Sequence, residues 1–153
     1  MAYDVLLRSC AGPAEWPALA QIWRSAVTAT HDFLTSADID FFESRLLAEY
    51  LGAVRLTVAT VGGVAVAFSG LAEGKLEMLF VDQQYRGSGV GSVLLRDAIV
   101  THPGLLVDVN EQNTQAVGFY RRHGFVTVGR QETDPEGRLF PILNLALRPD
   151  QAG

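Results

Sequence analysis

The sequence contains little cysteine and few basic residues. Cys10 is the only cysteine among 153 residues, which excludes an internal disulfide and a zinc site built on two or more thiolates of this chain. Lysine and arginine number 12 against 17 acidic residues, and the formal net charge is −5. This charge argues against a general nucleic-acid-binding protein, which needs a basic surface, but it leaves room for a local basic pocket that binds one anion.

Long apolar runs are also absent. No run approaches the roughly 20 residues that a membrane-spanning helix needs. The opening MAYDVLLRSC has too short an apolar centre for a signal peptide, because Asp4 and Arg8 interrupt it. We therefore expect a cytoplasmic protein with no membrane partner. We expect no metal either, since no cluster of histidines and carboxylates has the spacing of a metal site.

The composition is that of a folded globular protein, with 48% hydrophobic and 19% charged residues. A length of 153 residues predicts one domain over residues 1–153. Hydrophobic periodicity predicts the order β-α-α-β-β-β-α-β-α-β-β, which is a mixed α/β (α+β) sheet with helices on its faces.

Apolar spacing predicts the first two helices. One face of the first helix carries apolar residues from Trp16 to Val27, including Trp23. The second helix should begin after Thr35, with Asp38 three residues on as the partner of a capping box. Its buried face is predicted to carry Ile39, Phe42, Leu46 and Tyr50.

From Arg55 onward, apolar residues alternate with a period of two, which is typical of β-strands. Gly62-Gly63 and Glu73-Gly74 should form the turns of a three-stranded meander that ends with strand Lys75–Val81. Strand Leu105–Val109 should run parallel to it, after a helical crossover, and be buried on both faces. A helix over Asn113–His123, closed by Gly124, and two further strands in FVTVGRQ and FPILNLAL complete the predicted order.

Three glycines at alternate positions, Gly87, Gly89 and Gly91, stand at the entrance to a predicted helix in YRGSGVGSVLL. A Walker phosphate loop is excluded because no lysine follows, and the G-x-G-x-G spacing differs from the dinucleotide fingerprint. Successive N–H groups from Gly87 to Gly91 could instead bind an anion at the helix N-terminus. A tight turn without a ligand is the alternative.

Two motifs in order carry a family resemblance. The run RGSGVG (86–91) fits Arg/Gln-x-x-Gly-x-Gly/Ala, and about twenty residues later NEQNTQAVGFYRRHGF places Asn113, Ala116, Phe119, Tyr120, Gly124 and Phe125. Together they resemble the GNAT superfamily of N-acetyltransferases. The segments ATHDFL, VNEQN and FPILNLA are similar, more narrowly, to the YjaB-type bacterial acetyltransferases, and this resemblance runs nearly end to end.

The resemblance implies a GNAT fold: a mixed, mostly antiparallel sheet with a central splayed parallel strand pair and helices on both faces. It implies that acetyl-coenzyme A (acetyl-CoA) is the cofactor and that an amine attacks it directly in a ternary complex. Ser88 stands where the superfamily often has a basic residue, so backbone N–H groups and Arg86 would compensate most of the pyrophosphate charge. The implied coenzyme-binding residues are Leu79, Phe80, Val81, Arg86, Gly87, Ser88, Gly89, Val90, Gly91, Ser92, Asn110, Asn113, Phe119, Tyr120 and Arg122.

Acetyl transfer to an amine sets two catalytic tasks: the amine must lose its proton, and the leaving thiolate must be protonated or stabilised. Tyr120 could protonate the leaving thiolate, with core packing as its alternative role. Glu77, which strand alternation places on one face with Leu79, could serve as the base or orient a water, or else be an exposed carboxylate. His31 is the other candidate base, and His31 with Phe33 could contact the acceptor, although a histidine that ties down a loop is equally compatible.

The sequence does not identify the acceptor amine. A small amine, an amino-sugar drug, and a protein lysine or N-terminus are all compatible with the sequence, and a homodimer is possible. Two other classes of function remain as alternatives: a non-catalytic acyl-CoA-binding module and a nucleotide-binding domain.

Overall fold

Strands and helices account for most of residues 3–148, which are the residues that the computed structural model describes. The strands are β1 (Val5–Ser9), β2 (Arg55–Val61), β3 (Val64–Ala72), β4 (Lys75–Val81), β5 (Leu106–Asn110), β6 (Phe125–Gln131) and β7 (Ile142–Leu147). The α-helices are α1 (Trp16–Thr30), α2 (Ser36–Arg45), α3 (Val90–Thr101) and α4 (Thr114–Arg122). A π turn over Leu46–Tyr50 continues α2, and short 3-10 turns cover Pro13–Glu15, Leu51–Ala53 and Gln83–Tyr85.

All seven strands form one sheet with the order β1-β2-β3-β4-β5-β7-β6. Only β4 and β5 are parallel, and every other neighbouring pair is antiparallel. The predicted element order and the mixed sheet are therefore confirmed.

The parallel pair is short. Lys75 pairs with Leu106 and Leu76 with Val107, and β4 and β5 then separate. This confirms the predicted splay. Because β4 makes no further pair with β5, the backbone groups of its second half are free on that side.

Helices cover both faces of the sheet. α1 buries Leu19, Trp23 and Val27, and α2 buries Ile39, in a core with Val58 and Phe68 of one face. On the opposite face, α3 and α4 pack on a second core whose buried members are Leu71, Leu76, Leu95, Ala98, Leu105, Val107, Val109, Val117, Tyr120, Phe125, Leu143 and Leu145. Two layers of helices therefore hold the splayed strands between them.

Local signals in the sequence explain how the elements begin and turn. The N–H of Asp38 donates to Thr35 Oγ1 at 3.1 Å, and the N–H of Thr35 donates to Asp38 Oδ2 at 3.0 Å, which confirms the capping box of α2. Gly62 and Gly63 have φ values of 59° and 81°, as a tight hairpin turn requires.

The prediction that β5 is buried on both faces is wrong. Val107 and Val109 are buried, but Leu106 is 44% exposed. Asp108, on the same side as Leu106, is half-buried and pairs with Lys75. Only the face with Val107 and Val109 therefore contributes to the core.

Membrane insertion finds no support in the described helices. Within residues 3–148, none of them combines the length and the apolar character that crossing a membrane requires.

Candidate active site

The glycine segment forms an open cradle at the N-terminus of α3. Gly87 and Gly89 have φ values of 77° and 94°, a left-handed conformation that favours glycine. A Cβ atom at either position would meet no other heavy atom within 4 Å, so the space above both residues is open. Across residues 3–148, the N–H groups of Val90, Gly91 and Ser92 donate to no acceptor. Free N–H groups and the positive end of a helix dipole suit the binding of an anion.

A cavity of about 580 Å³, the cradle cavity, runs from this segment to the ends of α1 and α4. Its walls combine the second half of β4, the cradle and α4. Most of the predicted coenzyme-binding residues line it, namely Leu79, Phe80, Val81, Arg86, Gly87, Gly89, Gly91, Ser92, Asn113, Phe119, Tyr120 and Arg122.

Three predicted coenzyme-binding residues lie elsewhere. The Val90 side chain is fully buried in the core, and the Ser88 hydroxyl donates to the Tyr85 carbonyl. Val90 can therefore contribute to the cradle only through its backbone. The N–H of Ser88 also donates to the Tyr85 carbonyl, at 3.1 Å, so neither donor of Ser88 is free. Asn110 lines the two other cavities described below.

Sequence analysis missed His123 as a residue of the cradle cavity and assigned it only to the end of α4. Its Nδ1 lies 2.8 Å from the Phe119 carbonyl oxygen, and its Nε2 lies 3.1 Å from Ser92 Oγ. Because a carbonyl oxygen only accepts, Nδ1 carries the proton, and Ser92 donates to Nε2 in the neutral ring. His123 thus joins α4 to the first turn of α3 beside the cradle.

Tyr120 lines both the cradle cavity and a second cavity beside the gap between β4 and β5. The residue is 6% exposed, and its ring packs against Phe119 and Phe125 with centroids 5.3 and 5.8 Å apart. No hydrogen-bond partner for its hydroxyl occurs among residues 3–148. Burial raises the pKa of Tyr120 above its ordinary value, so the phenol stays protonated. The ring therefore packs in the core while the hydroxyl remains available as a donor.

A second cavity of about 550 Å³, the polar cavity, opens on the other side of the gap. Lys75 Nζ lies 3.0 Å from Asp108 Oδ2, and Asn144 Nδ2 donates to Asp108 Oδ1 at 2.7 Å. Both carboxylate oxygens of Asp108 are thus engaged. Glu77, which also lines this cavity, has no such partner among the described residues.

Glu77 is the extra residue of a β-bulge in β4. Met78 lies opposite Gly70 of β3 and Leu76 lies opposite Leu71, so Glu77 has no partner in the ladder. The prediction that Glu77 shares a face with Leu79 is wrong, because the bulge breaks the alternation and it is Leu76 that packs in the same core as Leu79. Glu77 as a whole residue is exposed, but partial burial of its carboxyl at the cavity wall raises the pKa above its ordinary value.

A third cavity of about 480 Å³, the aromatic cavity, lies between α1, the π turn after α2 and the β6–β7 connection. Trp23, Phe42, Tyr50, Phe80 and Phe140 form much of its wall. Sequence analysis assigned Phe42 and Tyr50 to a buried helix face. Both are instead half-buried, because a cavity lies over them.

Polar contacts fasten the β6–β7 connection to α2. Arg138 Nη1 lies 2.6 Å from Asp38 Oδ1, and the Arg138 guanidinium lies 4.0 Å from the centroid of the Phe41 ring. Glu136 accepts from the Tyr50 hydroxyl and pairs with Arg45 Nε. These contacts hold one wall of the aromatic cavity in place.

His31 lines all three cavities. Its Nδ1 lies 2.8 Å from Thr30 Oγ1 and its Nε2 lies 3.3 Å from Asn113 Nδ2. Burial lowers the pKa of His31 to about 4, so the ring is neutral near pH 7. Phe33 lines none of the three cavities and packs between His31 and Phe140, at centroid distances of 5.2 and 5.8 Å.

The described residues offer no evident metal centre, since residues 3–148 contain no group of three or more histidine, cysteine or acidic side chains that could hold a metal ion. They do bring together an anion cradle, a free strand edge, a buried phenol donor and a carboxylate. This combination suits the transfer of a group from an anionic carrier to an acceptor that enters from the opposite side of the sheet.

Comparison with known proteins adds independent findings. Residues 48–127 match the family model described as an acetyltransferase (GNAT) domain. The peptidyl-lysine N-acetyltransferase YjaB of Salmonella typhimurium strain LT2 is 44% identical over 128 residues, which cover 83% of this chain and 88% of that protein.

Solved structures of acetyltransferases are similar to this chain over most of its length. The solution structure of apo-form YjaB from Escherichia coli has a TM-score of 0.84 at 39% identity and covers 93% of this chain and 96% of its own. The crystal structure of PaiA N-acetyltransferase from Thermoplasma acidophilum in complex with coenzyme A (CoA) has a TM-score of 0.74. At 16% identity, over 92% of this chain and 98% of its own, it supports the fold alone.

Proposed function

This chain belongs to the GNAT acetyltransferase family and is an acetyl-CoA-dependent N-acetyltransferase, and we propose that an amine attacks the acetyl group directly in a ternary complex at the gap between β4 and β5. The observation that carries this mechanism is Tyr120, which is 6% exposed and lines the cradle and polar cavities while its hydroxyl has no hydrogen-bond partner among residues 3–148.

The cradle would bind the pyrophosphate of the coenzyme. The N–H groups of Val90, Gly91 and Ser92 are free for it, and Arg86 and Arg122 line the same cavity with their positive charges. The free backbone edge of β4 would bind the pantetheine arm as an added strand does. The group so bound supplies the acetyl thioester.

Tyr120 would act as the general acid. Its hydroxyl can donate to the sulfur atom as the thioester opens, and its raised pKa keeps it protonated until then. A free N–H group of β4 could stabilise the oxygen that gains charge during the transfer.

Glu77 would accept the proton that the acceptor loses. Its raised pKa makes the carboxylate a better base than an ordinary glutamate. A lysine ammonium has no lone pair and must first lose one proton to solvent; the free amine then gives its second proton to Glu77 as the N–C bond forms. Its place in both the polar and the aromatic cavities supports this role.

We infer that the acceptor is the side chain of a protein lysine. The name of the YjaB relatives, peptidyl-lysine N-acetyltransferase, supports this class. The apolar wall of the aromatic cavity suits the methylene stem of lysine, and the carboxylates of Glu77 and Asp134 line the same cavity, where a cation is favoured. A cytoplasmic location, a single domain and a homodimer stay predictions from the sequence.

The test is Tyr120→Phe, with Tyr3→Phe as the matched control because Tyr3 is 43% exposed. We expect kcat with acetyl-CoA and a lysine peptide to fall by roughly 10²–10⁴-fold, the range for general acid catalysis. The dissociation constant of CoA, measured by calorimetry, should be unchanged. Retention of kcat in Tyr120→Phe would exclude Tyr120 as the acid. A wild-type protein that binds CoA but transfers nothing to any amine would favour the non-catalytic module.

A further inference from the structure

The hydrogen bonds of Thr30 determine which nitrogen of His31 carries a proton. Thr30 Oγ1 lies 2.8 Å from the Ala26 carbonyl oxygen and 2.8 Å from His31 Nδ1. A hydroxyl has one hydrogen and a carbonyl oxygen only accepts, so Thr30 donates to Ala26. The Thr30 oxygen is therefore left to accept, and His31 Nδ1 must supply the hydrogen.

The contacts of Asn113 give the same answer from the other side of the ring. The N–H of Ala116 donates to Asn113 Oδ1 at 3.2 Å, where Asn113 caps α4. This orients the amide so that Nδ2 lies 3.3 Å from His31 Nε2. An amide nitrogen only donates, so Nε2 accepts. Both ends thus require a neutral ring with its proton on Nδ1 and a lone pair on Nε2.

The lone pair of Nε2 lies at the junction of the site. His31 lines all three cavities, and its partner Asn113 is 8% exposed and lines the cradle and polar cavities together with Tyr120. Burial lowers the pKa of His31 to about 4, so the ring stays neutral and keeps this lone pair near pH 7. The distance of 3.3 Å makes the bond from Asn113 a long one, which an incoming N–H can replace.

We propose that Thr30 is a positioning residue that fixes His31 in the Nδ1–H tautomer, so that Nε2 accepts an N–H of the attacking amine in the place now held by Asn113. This inference rests on the proposed function, because it needs an amine acceptor at the gap. The imidazole receives a hydrogen bond and not the proton. The amine attacks as the free base: the N–C bond forms, the C–S bond breaks, and the nitrogen loses its proton to Glu77. The leaving sulfur takes a proton from Tyr120, and the proton held by Glu77 returns to the Tyr120 phenolate through solvent, so the transfer balances.

The experiment compares Thr30→Val, Thr30→Ser and the control Thr101→Val. Thr101 makes the same contact at the end of α3, from its Oγ1 to the Asp97 carbonyl oxygen at 2.9 Å, but it has no histidine partner among the described residues. With acetyl-CoA and Nα-acetyl-lysine amide as substrates, Thr30→Val should lower kcat/KM for the amine by about tenfold, as the loss of one hydrogen bond implies. KM for acetyl-CoA should be unchanged. Thr30→Ser, which keeps the hydroxyl, should recover most of the activity, and Thr101→Val should resemble wild type.

A direct readout is the nitrogen spectrum of ¹⁵N-labelled histidine, with His31 assigned by its loss in His31→Gln. Wild type should show His31 protonated on Nδ1 at pH 7. Thr30→Val should show a mixture of tautomers, because only the long bond from Asn113 then favours the Nδ1–H form. A wild-type ring protonated on Nε2 would overturn the inference, as would a Thr30→Val enzyme with the amine kcat/KM of Thr101→Val. If Thr30→Val does not fold, the wild-type spectrum and Thr30→Ser decide the question. Failure of the wild type to bind CoA or to acetylate any amine would instead overturn the proposed function.

Discussion

Leu76 of β4 and Val107 of β5 form the last pair between these two parallel strands, and the next residue of β4, Glu77, has no partner in either neighbouring ladder. The bulge on one side and the separation of the strands on the other thus begin at the same residue. Glu77 is therefore placed at the start of the gap, where it lines the polar and aromatic cavities.

Glu77→Gln should lower kcat by roughly 10²–10⁴-fold, because the variant keeps the shape of the side chain but cannot accept a proton. Since the carboxylate is the active form, activity falls as the pH drops through its pKa. That pKa is raised by partial burial, so the acid limb of the kcat profile should lie above the value of about 4.3 for ordinary glutamate and should disappear in Glu77→Gln. Asp97→Asn, an exposed change of the same charge on α3, is the control. An unchanged acid limb in Glu77→Gln would assign it to another group.

Gly89→Ala should weaken CoA binding by about tenfold or more, because the new methyl group would enter the open space above the cradle. The control is Gly63→Ala in the β2–β3 turn, where φ is 81° against 94° at Gly89 and a Cβ also meets no heavy atom within 4 Å. Both variants should lose about 1–2 kcal/mol of unfolding free energy from the left-handed backbone. Calorimetric titration with CoA separates the two effects: equal CoA affinities in both variants would place the pyrophosphate elsewhere.

The free energy of unfolding should fall as the pH is lowered from about 6.5 to about 4, and this pH dependence should be absent in His31→Gln. Burial lowers the folded-state pKa of His31 to about 4, while the unfolded chain has the ordinary value of about 6.5. The unfolded state therefore binds more protons across this window, and folding loses up to about 3 kcal/mol as the pH drops. Urea denaturation at several pH values measures the slope, with His102→Gln as control. A slope that persists in His31→Gln would show that other groups cause it.

Arg138→Ala should raise KM for the acceptor while the affinity for CoA stays the same. The ion pair with Asp38 and the stacking on Phe41 hold the β6–β7 connection on α2, and each is worth up to about 1 kcal/mol at a partly exposed site. Arg130→Ala removes an equal charge from the edge strand β6, away from the aromatic cavity, and should leave KM unchanged. Equal effects of the two variants on KM would indicate a general effect of charge.

Local signals made the fold and the cradle predictable. The capping box at Thr35, the paired glycines of the hairpin and the glycine spacing after Tyr85 each determine backbone geometry within a few residues. The bulge at Glu77 leaves no such signal, because it depends on how β3 and β4 pair. The aromatic cavity was equally hidden, since periodicity identifies Phe42 as facing inward but cannot tell a packed core from a cavity. The contact at His31 Nε2 could not be predicted either, because its partner Asn113 is 82 residues away in the sequence.

The strand order has a consequence for the synthesis of the protein. Among the described strands, β6 pairs only with β7. β7 lies between β5 and β6 in the sheet, although it follows both of them in the sequence and is synthesised last. On the ribosome, β6 and the connection that closes the aromatic cavity therefore cannot join the sheet until the chain has been synthesised as far as Leu147. The nascent chain completes its glycine cradle some fifty residues before the opposite wall of the site can assemble.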